Sequence, residues 1–201
     1  ASDLKEVMEV AADLGAQDAT NLTSVFQNAD KAADLKAVMD VAKATLGSDD
    51  GTGTNKLDAS NAANLTSVFQ NADKASDLKE VMTAAADVGI TDAANLTSVF
   101  QNADQASDLK DVMEDAKSLA TTGDTSLFTS VMQNADQAAS VKKVVAAAKS
   151  GGASANIDNV LRNASSADKL SELVDKTSSS GTVNVALSLI HISEPTRHER
   201  I

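Results

Sequence analysis

The chain has no cysteine, tryptophan or tyrosine, and only one proline and four phenylalanines in 201 residues. Without cysteine, no disulfide, thiolate nucleophile or cysteine-based metal site can form. That absence is also compatible with an exported bacterial protein. The scarcity of aromatics leaves the core to Ala, Leu, Val and Met. Both histidines, His191 and His198, and the proline, Pro195, fall within residues 187–201. Residues 1–186 therefore lack the usual general base near neutral pH and the commonest metal ligand. A Ser-His-Asp arrangement is excluded there, and the glycines match neither a phosphate loop nor a dinucleotide fingerprint. No apolar run is long enough to span a bilayer. Positive charge is also short: 17 Lys and Arg against 29 Asp and Glu give a net charge of −12. Such a surface repels nucleic-acid phosphates and anionic membranes. It reads as a solvated, charge-mixed exterior.

The segment 187–201, "LSLIHISEPTRHERI", matches nothing else in the chain. Leu187 to Arg197 resembles the in-frame translation of a transposase-type sequencing-library adapter. It is set aside as an artefactual or disordered tail.

What is present is repetition. The string "NLTSVFQNAD" occurs at 21–30, 64–73 and 95–104, with degenerate copies "SLFTSVMQNAD" and "NIDNVLRNAS". Asn64 to Asn95 is a step of 31 residues, Ser98 to Ser130 of 32 and Val131 to Val160 of 29. Asn21 to Asn64 is 43, because Lys43 to Asn61 carries an insertion. A second block follows each copy, as in "KASDLKEVMTAA" and "QASDLKDVMEDA". The chain divides into a partial repeat at 1–20 and repeats at 21–63 (inserted loop 43–61), 64–94, 95–125, 126–155 and 156–186. It opens inside a repeat and is expected to be a fragment of something longer.

Both blocks have helical spacing. Leu96, Val99, Phe100 and Ala103 fall at i, i+3, i+4 and i+7, as do Leu109, Val112, Met113 and Ala116. The two stripes are out of phase, so a break between the helices is expected. Asp30, Asp73, Asp104, Asp136 and Ser165 open the second block and are expected to act as its N-caps. Asp18, Asn61, Asp92 and Asp124 hold the corresponding place before the first block, with Ala153 breaking the pattern. Asn28, Asn71, Asn102, Asn134 and Asn163 occupy the turn, where Asn tolerates the left-handed conformation and bonds nearby backbone. Phe26, Phe69 and Phe100 are expected to fill one equivalent core site between adjacent hairpins.

These features predict an all-α fold, tandem helical hairpins of about 31 residues stacked as a short α-solenoid. One hairpin buries too little to offset its ordering entropy, and stacking supplies the rest. The glycine-rich insertion offers Asp49, Asp50, Asn55 and Asp58 as oxygen ligands for calcium, without EF-hand spacing or a terminal bidentate Glu. The plain reading is a surface loop. "NLT" at Asn21, Asn64 and Asn95 and "NAS" at Asn163 fit the glycosylation sequon, but helix starts and turns already account for those residues.

The organisation resembles large tandem-repeat proteins of bacteria, including secreted and cell-surface ones. That resemblance implies a non-catalytic structural or protein-interaction role, spacer or scaffold, with a protein partner or self-stacking repeats. The alternatives are a calcium-dependent surface adhesin segment and an accessory region of an enzyme whose catalytic domain lies elsewhere. Expected partners include neither nucleic acid nor a membrane interior, and no resident cofactor is expected.

Overall fold

The computed structural model of the chain describes residues 2–49, 55–57, 59–119, 125–151 and 156–179. They are helical nearly throughout, with eleven α-helices. Long helices α1 (Ser2–Asp13), α3 (Ala32–Leu46), α5 (Ala75–Asp87), α7 (Ala106–Leu119), α9 (Ala138–Ser150) and α11 (Ala167–Ser179) are built from the second sequence block. Short helices α2 (Ala19–Gln27), α4 (Ala62–Gln70), α6 (Ala93–Gln101), α8 (Ser126–Gln133) and α10 (Ile157–Arg162) come from the first. Each long helix packs on the next long one and each short helix on the next short one, giving a stack of neighbouring helices. The expected all-α class is what the structure has. Its strand content among the described residues is a two-residue antiparallel ladder in the insertion, β1 (Ser48–Asp49) against β2 (Asn55–Lys56).

The apolar stripes meet in one continuous core. Leu65, Val68, Phe69, Leu96, Val99 and Phe100 of the short row join Leu78, Val81, Leu109 and Val112 of the long row. With few aromatics, small residues set the spacing: Ala75, Ala85, Ala103, Ala106 and Ala116 are fully buried and let the backbones approach. Phe69 and Phe100 fill the interior as expected. Phe26 does not, being 55% exposed. It lies in α2, the first of the short row, whose only short-row neighbour among the described residues is α4.

Helix ends follow local chemistry. Asp18 caps α2, its carboxylate accepting from the amides of Thr20 and Asn21 at 3.0 Å each. Asp92 caps α6 through the Asn95 amide at 3.1 Å. Asn61 sits instead inside a 3-10 turn and makes no side-chain cap bond to α4. Asp124 and Ala153 lie outside the described residues. Gly15 and Gly89 follow α1 and α5 with φ of +67° and +80°. There the Ala16 amide donates to the Ala11 carbonyl and the Ile90 amide to that of Ala85, each at 2.9 Å. That pattern closes a helix end through a left-handed residue, which glycine adopts without a Cβ penalty.

The link between short and long helices corrects two expectations. First, Asn28, Asn71, Asn102, Asn134 and Asn163 are not left-handed. Asn28 has φ −112° and ψ 35°, Asn102 −113° and 41°, and no non-glycine residue described has positive φ. Each Asn instead returns its side-chain amide to the carbonyl four residues back. Asn28 donates to Ser24 at 2.9 Å, and Asn71, Asn102, Asn134 and Asn163 donate to Ser67, Ser98, Ser130 and Asn159 at 2.8 Å. The helix end is satisfied by a side chain, which makes a left-handed cap unnecessary.

Second, Asp30, Asp73, Asp104, Asp136 and Ser165 are not N-caps of the long helices. They sit mid-way in one-turn 3-10 helices at Ala29–Lys31, Ala72–Lys74, Ala103–Gln105, Ala135–Gln137 and Ala164–Ser166. The cap positions of α3, α5 and α9 are Lys31, Lys74 and Gln137, without side-chain cap bonds. The reason is that the 3-10 turn already uses the entering amides: Lys31 donates to the Asn28 carbonyl at 2.9 Å, and Ala32 to that of Ala29. A carboxylate at this point still faces the positive end of the helix.

Candidate functional site

The polar chemistry of the described residues concentrates at the junctions between neighbouring helices. In the short row, the serine of "LTSVF" reaches the end of the next short helix. Ser24 Oγ donates to the Gln70 carbonyl at 2.9 Å and accepts from the Ala72 amide at 3.3 Å. Ser67 Oγ accepts from the Ala103 amide at 3.2 Å. Ser98 and Ser130 donate to the carbonyls of Gln133 and Arg162 at 3.2 and 3.0 Å. These hydroxyls engage backbone groups that a helix end leaves without intrahelical partners. Beside two of these clasps, those of Ser24 and Ser130, runs a polar groove at the same sequence position. One is lined by Thr23, Ser24, Gln27 and Gln70, another by Thr129, Ser130, Gln133 and Arg162.

In the long row the junctions are ionic. Asp34 accepts from Ser76 Oγ and Lys79 Nζ of the next long helix, both at 2.7 Å. Asp77 accepts from Ser107 Oγ at 2.5 Å and Lys110 Nζ at 3.4 Å, while Glu80 lies 2.8 Å from the same lysine. Lys142 bridges Asp108 at 2.6 Å and Asp111 at 2.8 Å. The Lys79 ammonium, then the Ser76 hydroxyl, hold the Asp34 carboxyl below its usual range. Ser107 and then Lys110 do the same for Asp77. Lys110 is raised by Glu80 and Asp77, and Lys142 by Asp108 and Asp111. At the last junction both partners change together. Ser140 stands in the aspartate position and Ser171, buried, in the lysine position.

Neither set was picked out in the sequence. The signal was there, a serine at one place in four copies and Ser-Asp-x-Lys at the start of the second block. Small polar residues on a helix face read as solvent-facing until a neighbour is known.

Two of the four candidate calcium ligands in the insertion are among the described residues. Asp49 and Asn55 face each other in the two-residue ladder, and the Asn55 amide donates to the Ala44 carbonyl at 3.4 Å. Asp50 and Asp58 lie outside the described residues. Among the described residues no group of three or more His, Cys, Asp or Glu is placed to hold a metal ion, and no helix is long and apolar enough to cross a membrane. The sequon residues serve the fold. Asn21 and Asn95 are buried, their amides donating to the cap carboxylates of Asp18 and Asp92 at 2.6 and 2.7 Å. Asn64 accepts from Gln101 Nε2 at 2.7 Å.

No protein family matches the chain, and no curated protein or solved structure matches it.

Proposed function

We propose that the chain is an array of helical hairpins of about 31 residues stacked as a short α-solenoid. It acts as a non-catalytic spacer or scaffold, working through a protein partner or through its own stacked repeats. The observation that carries this reading is that most of the junctions are closed by matching bonds at the same sequence positions. A serine clasp recurs in the short row, and an aspartate–lysine contact recurs in the long row. Elements so joined contact only their neighbours, so length follows copy number and stability is a sum of units and junctions. The polar side chains at these junctions hold neighbours in place, which is positioning rather than bond-making chemistry.

Excision of residues 64–94 tests the reading. The cut joins Ala63 to Asn95 and restores the string "AANLTSVFQNAD" in register. The shortened chain should fold cooperatively, with its longest dimension in solution scattering reduced by about 10 Å, one helix-to-helix spacing. Collapse of the helical signal, or an unchanged dimension, removes the array reading.

A further inference from the structure

We propose that the groove between α8 and α10 binds a carboxylated sugar, a hexuronate, with Arg162 taking the carboxylate and nearby hydroxyl and amide side chains taking the ring hydroxyls. Each short-row junction carries one pair of residues on its far side. They are the last residue of the second helix and the middle residue of the 3-10 turn after it. At three junctions the pair is Gln70 and Asp73, Gln101 and Asp104, or Gln133 and Asp136. At the α8–α10 junction it is Arg162 and Ser165. One exchange brings in a cation and the other removes an anion. Arg162 is the one arginine of residues 1–186, in a chain of net charge −12.

Both exchanged residues line one open cleft. It has a volume of about 820 Å³, with Ser126, Thr129 and Gln133 on its other wall. The groove between α2 and α4, about 670 Å³, has Thr20, Thr23, Gln27, Gln70 and Asp73 at the five matching positions. The two clefts share their hydroxyls and amides and differ in charge. The guanidinium is held in place: Arg162 Nε donates to Asp158 at 3.0 Å and Nη1 donates to Ser126 Oγ. A fork fixed in this way is set to meet a carboxylate through paired N–H groups. Ser130 is used by the Arg162 carbonyl at 3.0 Å, and Asn134 by the Ser130 carbonyl. The Thr129, Gln133 and Ser165 side chains take no part in closing the junction, and each can both donate and accept. One cation beside three such groups matches a molecule with one carboxylate and several hydroxyls. No aromatic ring lines the cleft to stack a sugar, so binding is weak and rests on the ion pair.

This goes beyond the scaffold reading and concerns a single junction. Excision of residues 64–94 leaves α8 and α10 in the chain, so either reading can fail alone. The test is an NMR titration of the isotope-labelled full chain with glucuronate, galacturonate, glucose, acetate and inorganic phosphate. At least one hexuronate should shift the amides of Thr129, Gln133 and Ser165 saturably. Glucose and acetate should each bind about tenfold or more weakly, because each loses either the charge-assisted bonds or the hydroxyl contacts. Arg162→Gln, which restores the residue of the other junctions, should abolish the shifts and leave helicity unchanged. Gln70→Arg combined with Asp73→Ser should create the same response at Thr23 and Gln27. Silence from both hexuronates overturns the proposal, as do shifts that survive Arg162→Gln. Acetate or phosphate binding as tightly as the hexuronates also overturns it, leaving a bare anion site.

Discussion

Residues 21–30 and 95–104 are the same ten letters, and they end in different environments. Both form a short helix capped by an aspartate three residues ahead, and both close on an asparagine bonded to the serine carbonyl four residues back. Yet Phe26 is half in solvent and Phe100 is sealed. The comparison separates what ten residues can do for themselves from what a neighbour does for them.

Truncation of the aromatic should break the equality most sharply. Phe100→Ala is expected to cost about 3–5 kcal/mol, because it removes a fully buried ring and leaves a cavity. Phe26→Ala should stay within about 0.5 kcal/mol, the range of an exposed site. Denaturant midpoints of the two variants check this, and equal losses would mean that Phe26 is covered in solution.

The local bonds should behave alike in the two places. Asp92→Ala and Asp18→Ala each remove a cap carboxylate, at about 1 kcal/mol apiece. Asn102→Ala and Asn28→Ala each free a helix-end carbonyl, with an expected loss of roughly 0.5–1.5 kcal/mol. Thermal melts of the four variants sharpen the comparison if the paired losses agree, and break it if the α2 variants are silent.

The smallest effect expected is in the pH dependence of the long row. The Asp77 carboxyl is held low by Ser107 and Lys110, so the folded chain binds that proton less tightly than the unfolded chain does. The stabilisation is complete above the unfolded value of about 3.9 and is lost as pH falls through the lower folded value. Asp77→Asn should therefore flatten the acid limb of Tm against pH by roughly 1–3 °C, a modest figure because the pair is partly solvated. An acid limb that Asp77→Asn leaves unchanged would show that this contact does not form in solution. The junction with Ser140 and Ser171 is bridged at another place, where Lys143 lies 2.5 Å from Asp175.

Much of the fold was legible in the residues. The stripe Leu96, Val99, Phe100 predicts a buried helix face, and Asp18 and Asp92 predict the helix starts that are found. Asp30 and its equivalents misled because a good capping residue identifies a turn without showing whether that turn is extended or 3-10. The asparagines were placed correctly in the turn but given the wrong backbone, since their side chains do the work a left-handed residue would do. Gly15 and Gly89 sit two residues beyond a helix end, where glycine is a stop signal, and they close α1 and α5. The candidate site was the least legible part. Ser24, Ser67 and Ser98, like Asp34 and Asp77, bond to residues 30 or more positions away, beyond any local pattern.

The sequence by itself determined the helices, their breaks and their period, because those depend on bonds spanning three to five residues that every copy contains. Only the tertiary structure decided which phenylalanine is buried, which serine clasps a neighbour and which aspartate meets a lysine. Those outcomes depend on the helices alongside: among the described residues the decapeptide at 21–30 has one short-row neighbour and that at 95–104 has two.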